Sequence, residues 1–284
     1  MSARKAGIGL VVTALVVVAV VIGIRKATHK IDSLLPDPEE CTATVAEHTA
    51  TLDPEQAGNA GLIAAIAVQR GLPARAATIA IATAMQESKL YNLASGDRDS
   101  LGLFQQRPSQ GWGSAKQVLN PTYAINAFYD ALVRIDGYET MEITKAAQEV
   151  QHSAYPEAYA QHEPDARSLA SSLTGWSPHT FSCRLDEQKT GSGRGGALRT
   201  QLQRLYGDLV GSPTLHGSTL TVAIPAGKSG RIDGWSLAQY SVARAKTLRV
   251  ASVSYAGRRW TADSAKGWVS DDDAGSRRVT ISLA

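Results

Sequence analysis

The chain of 284 residues and 30.1 kDa is long enough for about two domains, at roughly 150 residues each, with a buried core in at least one. With 43% hydrophobic and 19% charged residues and only 25 Gly and 11 Pro, it is neither collagenous nor wholly disordered. A net charge of +3, from 29 basic and 26 acidic residues, makes it no polycation and argues against nucleic acid as a partner.

The first predicted element is a membrane helix. Residues 6–24 carry no charge and are flanked by Arg4 and Lys5 before and Arg25 and Lys26 after, a length that spans a bilayer. Ile22-Gly23-Ile24 leads into Arg25-Lys26 without a small-residue cleavage pattern, so an uncleaved anchor over 1–26 is expected. The flanking basic residues roughly balance and do not orient it. Residues 27–52, with Pro36, Pro38, Glu39 and Glu40 and little helical periodicity, read as a stalk. Cys41 and Cys183 bracket the helical part that follows, and neither has a Cys or His neighbour of metal or redox spacing. A disulfide between them is expected, the alternative being two unrelated buried thiols. It implies an oxidising compartment, hence a single-pass protein of the cell membrane with its C-terminal region extracytoplasmic.

Helical signals dominate residues 53–184. Asp53-Pro54-Glu55-Gln56 combines an N-cap residue, proline at the first helical position and a glutamine three after the cap, ahead of the apolar run Leu62, Ile63, Ile66, Ala67. Pro73 opens a second helix, from about 74 to 89, and others are predicted near 121–136, 140–153 and 164–173. A Gly-rich joint at 190–196 and a helix from about 197 to 209 fill a linker over 185–213. In 214–284, strands at 219–224, 250–255, 259–261 and 278–283 surround a helix at 235–248, which makes a small α+β domain.

On the second helix Ala80, Thr83, Ala84 and Glu87 fall at i, i+3, i+4 and i+7, so Glu87 continues a stripe of small residues that faces the core. A carboxylate so placed is partly desolvated, which raises its pKa and suits a general acid. The plain alternative is a helix-end glutamate turned to solvent. Downstream stand Ser95-Gly96-Asp97-Arg98-Asp99-Ser100-Leu101 and Gly102-Leu103-Phe104-Gln105-Gln106-Arg107-Pro108. With Glu87-Ser88, this resembles the lysozyme-like superfamily of peptidoglycan-cleaving enzymes, in which a Glu-Ser pair closes a helix and a Gly-Leu-Met-Gln loop lines the cleft; Phe104 takes the Met place. The Gly-Asp-Arg segment is similar to goose-type lysozymes, and Gln105 and Pro108 fit both these and soluble lytic transglycosylases in part. Gly234 to Gln239 and Val253 to Trp260 are similar to an accessory domain of actinobacterial cell-wall proteins.

The resemblance implies a fold: a mainly α lysozyme-like catalytic domain (53–184) after the transmembrane helix, followed by the α+β accessory domain. It also implies a membrane-anchored enzyme of actinobacterial type, a lytic transglycosylase or muramidase that cleaves the β-1,4 bond between N-acetylmuramic acid and N-acetylglucosamine. Its partners would be peptidoglycan glycan strands, and the membrane through the N-terminal helix, with no cofactor and no metal. Glu87 is then the general acid. Asp97, which matches the Asp of Gly-Asp-Arg, is either a second carboxylate for hydrolysis or a turn-stabilising residue. Ser88 orients the acid, Gly102 lets backbone approach a sugar, and Gln105 offers donor and acceptor to an acetamido group. Phe104 and Trp112 provide pyranose platforms or belong to the core, and Trp235, Trp260 and Trp268 are core residues or a contact surface. His152 and His162 form no metal motif. Gln151 and Tyr155 fall where the family carries Ala-Tyr-Asn-Ala-Gly, although the match is not residue for residue. The missing Asn-Ala-Gly leaves a second class open: an inactive peptidoglycan-binding scaffold or a component of an envelope or secretion apparatus.

Overall fold

A computed structural model describes residues 38–151, 156–186 and 194–284. The predicted anchor at 6–24 lies outside the described residues. Among these, no helix is long and apolar enough to cross a membrane. The longest, Gly227–Ala243, has 17 residues and carries Lys228, Arg231 and Asp233. The expectation of a single-pass protein of the cell membrane is corrected accordingly.

The fold class is corrected as well. Among the described residues the protein is mixed α and β, with two antiparallel sheets, rather than a mainly α domain with an appendage. Much of the segment read as a stalk is a hairpin, β1 (Glu40–Val45) and β2 (His48–Leu52). In β1, Cys41 and Ala43 point inward while Thr42 and Thr44 alternate with them, a period-2 pattern carried by residues too small to register as hydrophobic. β1 is the centre of a three-stranded sheet, between β2 and β3 (Phe181–Arg184). Cys41 lies opposite Cys183 in this register, and the two form a disulfide.

Helices α1 (Pro54–Gln69) and α2 (Ala74–Ser88) follow. The Asp53 carboxylate accepts from the backbone N–H groups of Glu55 and Gln56, and the Gln56 side chain accepts in return from the Asp53 N–H. Around α2 stand α1, α4 (Pro121–Leu132), α5 (Ile143–Gln151) and α6 (Glu163–Leu173), with a short α3 (Ala115–Val118) ahead of α4. A 3-10 segment, Pro156–His162, leads into α6, which also packs on the three-stranded sheet.

The second sheet has six strands in the order β4-β5-β9-β6-β7-β8: β4 (Thr214–His216), β5 (Thr219–Ala223), β6 (Val250–Tyr255), β7 (Arg258–Thr261), β8 (Val269–Ser270) and β9 (Arg278–Leu283). It is accompanied by α7 (Gly195–Tyr206), α8 (Gly227–Ala243) and α9 (Ala245–Leu248). The helix starts at Gly227 rather than near Trp235, because three glycines mask its first turns. At Gly234 a Cβ would come within 2.4 Å of the Tyr255 hydroxyl, so close packing excludes any side chain there.

The described residues from Glu39 onward form one compact unit. Gly61 of α1 leaves room for Ala243 of α8, where a Cβ would meet the alanine methyl at 3.0 Å. The buried Gln239 of α8 bolts the two parts together. Its amide oxygen accepts from the Thr180 and Phe181 N–H groups at 2.9 and 2.8 Å, and its amide nitrogen donates to the Ser172 and Ser177 carbonyls. Trp260 and Trp268 donate their indole N–H groups to the carbonyls of Cys183 and Phe181. Trp235 and Trp260 are fully buried and Trp268 half-buried, so these tryptophans serve the core.

The disulfide closes a separation of 142 residues, which in the chain-entropy model stabilises the fold by about 5 kcal/mol. Cys41→Ala/Cys183→Ala is expected to unfold at distinctly lower denaturant than the oxidised parent in equilibrium titrations, with a steeper slope because the released unfolded chain exposes more surface. Coincident midpoints would show that the bond adds nothing.

Candidate active site

The site forms where α2 leaves the core. Ala80, Thr83 and Ala84 are fully buried, and Glu87, one turn further on the same stripe, is half-buried at the edge. The helix ends because Lys89 and Leu90 adopt left-handed backbone angles, which turns the Leu90 N–H back onto the Ala84 carbonyl. Two side chains from outside α2 converge on Glu87. The Tyr159 hydroxyl donates to Oε1 at 2.7 Å, and the Gln151 amide hydrogen-bonds the same carboxyl while also donating to the Phe104 carbonyl at 2.6 Å. Burial is the largest influence and pushes the Glu87 carboxyl above its ordinary value; the bonds from Tyr159 and Gln151 oppose it only in part.

Ser88 is buried and does not touch the acid. Its hydroxyl faces the Leu103 carbonyl at 2.7 Å and the Ala84 carbonyl at 3.0 Å, which pins the 101–106 loop to the helix end. The loop is tightened by two backbone bridges, Leu93 with Gly102 and Leu101 with Gln106. Gly102 is required by its own surroundings: φ is +76°, and a Cβ would lie 2.7 Å from the Val118 carbonyl. Its close approach is to α3, not to an exposed surface. The Phe104 ring is fully buried and stacks on Phe128 with centroids 4.5 Å apart, so it belongs to the core and offers no face to a ligand. Gln105 is half-buried over Gly96 and donates to the Gly102 carbonyl at 3.1 Å. Trp112 is half-buried against the core.

The two aspartates of the loop divide their roles. Asp99 accepts from Arg107 Nε at 2.7 Å and from the Ser109 N–H and hydroxyl at 2.8 and 3.0 Å, and these donors hold its carboxyl well below the usual carboxylate range. Asp97 keeps 93% of its side chain exposed, with Arg98 Nε at 3.9 Å. Neither is built as a partly desolvated partner for Glu87. Tyr155 and His152 lie outside the described residues, while His162 is hydrogen-bonded to Gln86 at 3.0 Å.

Among the described residues the tyrosine that meets the acid is Tyr159, to which sequence reasoning gave no role. The available signal was Ala158-Tyr159, which keeps the first two letters of the family's Ala-Tyr-Asn-Ala-Gly. Two cavities of about 740 and 570 Å³ share Arg75, Ala160, Glu163 and Arg167, and Glu87 lines neither. Among the described residues, no group of three or more His, Cys, Asp or Glu side chains is placed to hold a metal ion.

Because burial raises the Glu87 carboxyl, the folded chain holds that proton to higher pH than the unfolded chain does. The associated stability is present below the ordinary carboxylate range and is lost as pH rises through the folded value. Glu87→Gln, which keeps an oxygen to accept from Tyr159, is therefore expected to melt above the parent at pH 8, with the gap closing toward pH 4. A gap of the opposite sign, or one independent of pH, would contradict the desolvated carboxyl. Neither a protein-family model nor a curated protein matches this chain.

Proposed function

We propose that the protein cleaves peptidoglycan glycan strands with Glu87 as its single catalytic carboxyl group. The reading rests on the resemblance to the lysozyme-like superfamily around Glu87-Ser88 and the 96–108 loop. One observation carries it: a partly desolvated carboxyl at the end of a buried helix, its pKa raised and its Oε1 held by the Tyr159 hydroxyl at 2.7 Å.

Glu87 in its protonated form donates to the glycosidic oxygen as that bond breaks and C1 becomes oxocarbenium-like. The carboxylate left behind, supported by Tyr159 and Gln151, takes the proton of the sugar's own 6-hydroxyl as O6 bonds to C1. The products are a 1,6-anhydro end, a free 4-hydroxyl on the departing sugar and a reprotonated Glu87. This lytic transglycosylase course is favoured over hydrolysis because Asp97 stands in solvent and Asp99 is committed to Arg107 and Ser109. The second reading, an inactive scaffold or a component of an envelope or secretion apparatus, draws on the two cavities that omit Glu87.

Release of soluble fragments from purified peptidoglycan separates the two. Glu87→Gln is expected to lower turnover by roughly 10² to 10⁴-fold while binding to sedimented peptidoglycan is retained. A parent protein that binds but releases nothing, with Glu87→Gln indistinguishable from it, would replace the enzyme by the scaffold.

A further inference from the structure

The residue before the acid has a task of its own. Gln86 and Glu87 are successive residues in the last turn of α2, and both meet the 3-10 segment Pro156–His162. Glu87 receives Tyr159. The Gln86 amide oxygen receives two donors from the end of the same segment, Gln161 Nε2 at 3.2 Å and His162 Nε2 at 3.0 Å. An amide oxygen has two lone pairs, so both are engaged. The oxygen cannot donate, which requires His162 to carry its proton on Nε2. Burial pushes the His162 imidazole below its ordinary value, the charge of Asp165 opposing in part, so the neutral Nε2–H tautomer meets the requirement.

The geometry turns this contact into a lever on the acid. Tyr159 stands three residues before His162, one turn of a 3-10 helix, so fixing His162 fixes the azimuth from which the phenol departs. His162 is also the residue from which α6 starts, and α6 packs along α2. The latch therefore ties the segment to both helices at its downstream end, where Tyr159 is held in the interior.

We propose that Gln86 is a positioning residue, whose amide oxygen latches the Pro156–His162 segment onto α2 and thereby holds the Tyr159 hydroxyl on the Glu87 carboxyl. Its catalytic meaning rests on the reading of Glu87 as the general acid. Its physical content does not, because the Glu87 carboxyl reports the state of Tyr159 whether or not a glycan is cleaved.

The test is a carbon-13 carboxyl NMR titration of the full chain labelled at glutamate, with the Glu87 resonance assigned by its loss in Glu87→Gln. A hydrogen bond to the charged form lowers a carboxyl pKa, so removing it raises the titration midpoint. Tyr159→Phe is expected to move the midpoint up by about one pH unit. Gln86→Leu is expected to move it the same way by roughly half as much or more, and the double variant no further than Tyr159→Phe alone. A midpoint unchanged in Gln86→Leu, or shifts that add in the double variant, would overturn the proposal. Gln161→Ala/His162→Ala removes the latch from the other side and carries the same expectation, should Gln86→Leu fail to fold. If the midpoints move as expected in a protein that cleaves nothing, the functional reading fails and the latch stands. If cleavage depends on Glu87 but Gln86→Leu leaves its midpoint in place, the latch fails and the reading stands.

Discussion

The near-complete burial of α2 is the constraint around which the rest of the protein is arranged. Residues 76–84 of this helix are all buried. A helix covered on every side must be lined by side chains small enough for its neighbours to approach, and Ala76, Ala77, Ala80, Ala82 and Ala84 provide that. Its two buried threonines return their hydroxyls to carbonyls one turn earlier, Thr78 to Ala74 and Thr83 to Ile79, so neither leaves an unmet polar group. Such a helix meets solvent only near its ends. The last turn is consequently the place where a carboxyl can be half removed from water and still lie at the surface, and Glu87 occupies it.

What surrounds that helix is held by a few polar bonds in otherwise apolar contacts. The disulfide fastens β1 to β3, the indoles of Trp260 and Trp268 donate to β3, and Gln239 spans from α8 to the turn before β3. The six-stranded sheet is thereby joined to the strand that anchors the three-stranded one, and α6, packed on that smaller sheet, carries the Tyr159 segment at its start. The C-terminal part thus buttresses the frame behind the acid through contacts made by buried side chains.

Local signals were legible in proportion to how local they are. The Asp53 to Gln56 cap and the stripe leading to Glu87 follow from spacing within a few residues. The β1–β2 hairpin was not legible because its alternation runs through Thr and Ala, and the start of α8 was hidden because three glycines weaken helical propensity, Gly227 at a φ of +96° and Gly230 and Gly234 where close packing demands them. Phe104 reads as a loop aromatic until Phe128, 24 residues on, covers it. Asp97 and Asp99 are alike in sequence, and only the position of Arg107 and Ser109 separates a clamped carboxylate from an exposed one. Tyr159 reaches across 72 residues to Glu87, and no local pattern fixes such a pairing.

On the proposed function one carboxyl, desolvated at the end of α2 and held by Tyr159, acts first as acid and then as base, with no second carboxylate among the described residues placed to activate water. Mass spectrometry of fragments released from purified peptidoglycan in oxygen-18 water distinguishes this course from hydrolysis. The expected products are 1,6-anhydro ends that are lighter by one water than reducing ends and carry no heavy oxygen. New reducing ends formed in step with bond cleavage, in place of anhydro ends, would contradict it, because water would then have attacked C1 with the help of a group other than Glu87.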